Sequence, residues 1–142
     1  MKEEAFGIIP FYRDIDGLKV FLIHMYGSGG DMLWTFPKGR PDPNETPLET
    51  AKRECVEESG ITPSQLIEEF PVSTSYTFER RGEQVEKTSM YYIGLVDSPL
   101  FKIQPEEVKE AGWFTIDAAR ERITFPDYKI LLDDAVVLLD KL

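Results

Sequence analysis

The sequence predicts a layered α/β domain, with helices packed against a mixed sheet. Three observations carry that prediction. Short apolar runs of strand length open the chain, at residues 6–11 and 20–25. A helical pattern with its own start and stop signals fills residues 46–60, and a denser apolar helical pattern fills 127–141. Further strand patterns lie between those two helices.

Taken in order, the first two apolar runs read as buried strands joined by a turn at Asp14-Ile15-Asp16-Gly17. Gly27-Ser28-Gly29-Gly30-Asp31 has no helix start or phosphate-loop lysine after it and reads as a flexible loop. Leu33-Trp34-Thr35-Phe36 is a short strand. Thr46-Pro47-Leu48-Glu49 then forms a capping box: Thr46 accepts from the Glu49 N–H, and Glu49 reaches back. Pro47 takes the first helical position and Gly60 the left-handed cap. Residues 66–76 and 88–96 are strand patterns, with a hairpin turn at Arg80-Arg81-Gly82-Glu83. Trp113-Phe114 begins another strand, residues 117–122 a brief helix, and residues 127–141 a helix apolar enough to pack on a sheet.

The chain has 142 residues, 42% of them hydrophobic, enough for one domain over 1–142 with a sizeable core. No apolar run is long enough to span a bilayer, and the N-terminus lacks a signal-peptide core. One cysteine excludes an intrachain disulfide, and a cytoplasmic setting is the expectation. The formal net charge of −10 argues against an extended nucleic-acid partner.

Within the first helix, Glu54, Glu57 and Glu58 are spaced i, i+3 and i+4, so the helix is expected to aim three carboxylates at one point. Like charges so placed destabilise a helix unless a cation joins them, and a hard divalent ion takes oxygen ligands. Leu48, Ala51 and Cys55 form the adjoining apolar stripe.

From Gly39 through Glu45 and Arg53-Glu54-Cys55-Val56-Glu57-Glu58-Ser59-Gly60-Ile61, the segment resembles the Nudix box, GX5EX7REUXEEXGU, where U is a bulky aliphatic residue. Only Cys55 departs, standing in an aliphatic slot where a buried thiol serves as a small hydrophobe. The resemblance implies the family's α/β/α sandwich and a loop-helix-loop box. It also implies hydrolysis of a pyrophosphate linkage in a nucleoside diphosphate derivative. By the same resemblance Glu54, Glu57 and Glu58, with the Gly39 carbonyl, hold Mg²⁺ or Mn²⁺. The proton acceptor for water is one of these carboxylates or a glutamate outside the box, Glu107 or Glu110. Arg53 and Glu45 read as an ion pair that orients helix and loop, and Lys38 as a phosphate contact or a loop support.

Outside the box, Trp34-Thr35-Phe36-Pro37-Lys38-Gly39 and Lys87-Thr88-Ser89-Met90-Tyr91-Tyr92 resemble segments of hydrolases acting on diadenosine tetraphosphate. So do Tyr76 and the pair Phe125 and Lys129. This implies asymmetric cleavage to ATP and AMP, with Tyr76 and Phe125 clamping a base. Lys87 is the expected phosphate contact and Tyr91 its hydrogen-bonding neighbour. Arg80 and Arg81 either reach distal phosphates or simply belong to an exposed hairpin tip. His24, Trp34 and Trp113 read as packing residues. The expected partner is a small nucleotide, bound by a monomer or weak homodimer. The alternatives are Nudix activity on RNA 5′ triphosphate ends, nucleoside triphosphates or nucleotide sugars, or a non-catalytic nucleotide-binding regulator.

Overall fold

The computed structural model describes residues 1–27 and 31–141, so most of the expected glycine-rich loop, Ser28 to Gly30, lies outside the described residues. Strands β1 (Lys2–Asp14) and β2 (Gly17–Tyr26) form the predicted hairpin. Its turn is fixed by the Asp16 N–H donating to Asp14 Oδ1 at 2.8 Å, and by Gly17 at φ 124°. Then follow β3 (Met32–Thr35), β4 (Lys38–Gly39), α1 (Pro47–Ser59), β5 (Gln65–Arg80), β6 (Glu83–Val96), β7 (Val108–Thr115), α2 (Ile116–Arg122) and α3 (Pro126–Asp140).

The sheet runs β3-β2-β1-β6-β5, with β4 paired to β1 and β7 to β2. The β1–β6 ladder is parallel and the other pairings are antiparallel, which makes the sheet mixed, as expected. β1 is longer than its apolar run because β6 pairs along Lys2 to Tyr12, carrying polar residues into the ladder. β4 was not predicted: two residues carry no pattern, and pairing with Phe6 and Gly7 alone makes them a strand. The β5–β6 turn centres on Arg81 (φ 53°) and Gly82 (φ 80°), the double left-handed geometry that suits a two-residue hairpin. Farther down β5, the register shifts between Ile67 and Val72, a stretch that contains Pro71.

Side chains alternate between the sheet faces, and helices cover both. On one face Phe6, Ile8, Phe21 and Ile23 pack against Ala51 and Cys55 of α1. On the other, Ile9, Phe11, Leu22, Tyr91 and Ile93 pack against Ala119 of α2 and Tyr128, Leu131, Leu132 and Ala135 of α3. Full burial of each large side chain is worth about 1.5–3 kcal/mol. The three-layer arrangement is the α/β/α sandwich, with α1 packed against the sheet. Among the described residues no helix is long and apolar enough to cross a membrane.

Candidate metal and nucleotide site

Helix α1 begins and ends where its local chemistry dictates. The Thr46 hydroxyl accepts the Glu49 N–H at 3.2 Å, and the Glu49 carboxylate accepts the Thr46 N–H at 2.9 Å. At the far end Gly60 is left-handed (φ 68°) and donates its N–H to the Val56 carbonyl at 2.8 Å. The Lys102 N–H caps the Ser59 carbonyl at 2.8 Å, tying in the loop that carries Glu107.

Arg53 organises the acidic face. Its Nε and Nη2 grip Glu45 at 2.8 and 3.0 Å, its Nη1 reaches Glu54 at 2.9 Å and Glu57 at 3.2 Å, and Nη2 also donates to the Arg40 carbonyl. Glu45 further accepts the Asp42 N–H and the Thr50 hydroxyl. These bonds, Arg53 first, hold its carboxyl down at about 2. The expected ion pair is therefore a brace between loop and helix.

The three carboxylates occupy different environments. Glu57 is half-exposed, with Arg53 as its neighbour. Glu54 is mostly buried, and burial raises its pKa. Glu58 is only 2% exposed and accepts the Lys38 N–H at 2.8 Å. Burial, with the nearby charges of Glu54 and Glu107, pushes it up to about 8. Convergence of all three on a single point is not what this arrangement has. Among the described residues no three acidic, His or Cys side chains stand as a ready ligand set. The reason is Arg53, which draws Glu54 and Glu57 to itself, and the Lys38 amide, which holds Glu58 inward.

The donor set nonetheless suits a hard divalent ion. Two carboxylates with raised pKa values, Glu58 buried and Glu54 mostly so, need a positive partner to stay charged. Gly39 adds a cradle: a Cβ there would lie 2.1 Å from Glu54 Cδ, so only glycine lets main chain and carboxylate meet. Glu107 acts electrostatically on both Glu54 and Glu58. Glu110 stands elsewhere, opposite His24 on β2 and 3.8 Å from its Nδ1.

Beside this face opens a cleft of about 330 Å³, lined by Gly27, Asp31, Leu33, Lys38, Tyr76, Phe78, Glu79, Arg80, Lys87, Phe125 and Tyr128. It gathers four predicted residues: Lys38, Tyr76, Lys87 and Phe125. Tyr76 and Phe78 form one aromatic wall, ring centroids 5.8 Å apart, and Phe125 and Tyr128 another, 6.0 Å apart. Lys87 is buried, and that burial, with the charges of Lys38 and Arg40, lowers its pKa to about 8. Tyr91 does not join them. It is fully buried beneath the cleft, edge-on to Phe36 and Tyr128, because its strand runs into the core four residues beyond Lys87.

Phe78 and Tyr128 were missed, though each carried a signal. Phe78 shares the strand face of Tyr76, and Tyr128 follows Phe125 by three residues at a helix start. The expected packing residues do pack: His24 stacks on Trp34 at 4.6 Å, and the Trp113 indole N–H donates to the Pro99 carbonyl.

The NUDIX domain family matches residues 1–133, the span that contains the box, the acidic helix and the cleft. The chain belongs to the Nudix hydrolase family. Among curated Nudix relatives, it is 33% identical over 141 residues to bis(5′-nucleosyl)-tetraphosphatase [asymmetrical] of Rattus norvegicus, covering 94% of this chain and 93% of that protein. It is also 31% identical over 113 residues to mRNA-decapping protein g5R of African swine fever virus, covering 71% of this chain but 44% of that one. Two solved structures share the Nudix fold. One is a C. elegans Ap4A hydrolase binary complex, with TM-score 0.79, 22% identity and 99% of each chain covered. The other is the NUDIX domain of Shewanella oneidensis NrtR with ADP ribose, with TM-score 0.81, 20% identity, and 98% of this chain and 89% of that one covered.

Proposed function

We propose that this Nudix protein hydrolyses diadenosine tetraphosphate or a related dinucleoside polyphosphate asymmetrically, releasing ATP and AMP, with Mg²⁺ or Mn²⁺ as cofactor. The observation that carries the reading is Lys38. Its amide is bonded to Glu58 on the acidic helix, while its residue lines the aromatic cleft. One substrate seated there has its phosphates beside the carboxylates and its base between the rings. The likeness to the rat tetraphosphatase over nearly the whole of both chains supports the same reading.

In this account Tyr76 and Phe125 hold an adenine, since a ring face accepts a base face. Lys38 and Lys87 neutralise phosphate oxygens, and an incoming anion relieves the cost of keeping Lys87 charged in a buried place. Glu54, Glu57 and Glu58, with Gly39, would hold the divalent ion, which supplies charge neutralisation and a more acidic water. A carboxylate of the box, or Glu107 beside it, takes the proton from the attacking water. Arg53 and Glu45 keep that carboxylate array in place and touch no substrate. Tyr91 supports the cleft floor from within the core.

A substrate panel with Mg²⁺ tests the proposal, comparing diadenosine tetraphosphate, ATP, ADP-ribose and 5′-triphosphorylated RNA. The expected result is the highest kcat/KM for the dinucleotide, with ATP and AMP in equal amounts. A preference for the nucleotide sugar, the single triphosphate or the RNA overturns it.

A further inference from the structure

Glu3 sits at the edge of the cleft in an unusual position for a carboxylate on a strand: only 11% of its side chain is exposed, and it is held between two arginines. Arg80, at the end of β5, bonds Glu3 through both Nη atoms, and Arg40, from the box loop, bonds Glu3 Oε2 at 3.0 Å. Register places Glu3 beside Lys87 across the parallel ladder, and Lys87 beside Tyr76 across the next. Glu3, Lys87 and Tyr76 therefore form one row across three strands. Arg80 itself lines the cleft and rests over the Phe78 ring, 5.2 Å from its centroid.

Arg40, Arg80, Lys38 and Lys87 would repel one another if nothing lay among them. A single carboxylate beneath two guanidinium groups offsets that repulsion and fixes where they point. Arginine has five N–H donors in a rigid fork, so the groups Glu3 leaves over remain able to meet a phosphate. We infer that Arg80 is a specificity-determining contact for the part of a phosphate chain that extends beyond Lys38 and Lys87, and that Glu3 is its positioning residue. The cleft then grades ligands by chain length, favouring long polyphosphates over short ones. This deepens the proposed function and rests on it for the identity of the natural substrate.

The test uses inorganic pyrophosphate, tripolyphosphate and tetrapolyphosphate, titrated calorimetrically into the wild-type protein, Arg80→Ala and Glu3→Gln at fixed Mg²⁺. Arg80→Ala is expected to weaken tetrapolyphosphate about tenfold, the scale of one charged hydrogen bond, while changing pyrophosphate less than about twofold. Glu3→Gln should show the same gradient with a smaller amplitude, about threefold for the longest chain. An equal loss at every length indicates a merely structural role and overturns the inference. So does an unchanged or tighter affinity for tetrapolyphosphate in either folded variant. Arg80 lies next to an exposed turn, so Arg80→Ala decides the matter even if Glu3→Gln fails to fold. Because the probes carry no base, failure of the diadenosine assignment leaves this length gradient standing. Loss of the gradient, conversely, leaves the substrate panel standing.

Discussion

The acidic helix and the cationic cleft meet at Lys38, yet they are built in opposite ways. The helix draws Glu45, Arg53, Glu54, Glu57 and Glu58 from one loop and one turn-and-a-half of α1. Its repulsion is intrinsic to the spacing, so it carries its own counter-charge in Arg53. The cleft takes Lys38 from β4, Tyr76, Phe78 and Arg80 from β5, Lys87 from β6 and Phe125 from the entry to α3. Its cations are held by strand register, and the Glu3–Arg80 bond that steadies them joins residues 77 positions apart. Under the proposed function the difference amounts to a division of labour, in which the helix would set rate and the cleft affinity.

The strongest way to break that division is in the helix. Replacing Glu57 or Glu58 with Gln should lower kcat by about 10²- to 10³-fold, with KM little changed and circular dichroism intact. A raised KM with normal kcat would place these residues on the binding side instead. Next comes Gly39→Ala, whose methyl collides with the Glu54 carboxylate. Displacing that group should reduce kcat by roughly 10²-fold, as measured in steady-state assays on folded protein; full activity would mean that Glu54 has freedom to move.

Changes in the cleft are expected to be smaller and to fall on KM. Tyr76→Ala should raise KM about tenfold and leave kcat within about twofold. A fall in kcat alone would show that the ring serves chemistry. The smallest effect is one of pH. The folded-state pKa of Lys87 is lowered to about 8, chiefly by burial. As pH rises through that value the cation is lost and KM should climb severalfold, whereas Lys87→Met should give a higher, flatter KM profile. The sign for stability is the reverse. Between pH 8 and the ordinary lysine range the unfolded chain binds more protons, so stability contributed through Lys87 rises with pH. A wild-type KM that is flat from pH 7 to about 9.5 would remove Lys87 from the binding account.

This contrast also explains what could be read from the sequence. The box helix was legible to its caps because Thr46, Pro47, Glu49 and Gly60 act on neighbours within a few residues. The layered α/β class followed from the short apolar runs and the density of α3, and the α/β/α sandwich from the Nudix resemblance. Tyr76, Lys87 and Phe125 were assigned to one site and are found in one cleft. Tyr91 was assigned with them by the resemblance of the segment Lys87 to Tyr92, and it shares strand parity with Lys87. Parity gives the face but not the depth, and depth depends on where α3 lands. Glu3 went unnoticed because its meaning depends on the parallel β1–β6 ladder, which no local pattern announces. The predicted meeting of three carboxylates gave too little weight to Arg53, whose pairing with Glu54 and Glu57 competes for the space.

The most direct test is a crystal structure with Mg²⁺ and a non-hydrolysable diadenosine tetraphosphate analogue. It should show the metal bound by Glu54, Glu57 and Glu58, with a base between Tyr76 and Phe125 and the phosphate chain passing Lys38 and Lys87. A metal bound away from that helix, or a dinucleotide seated outside the cleft, would contradict the claim that both regions act on one substrate.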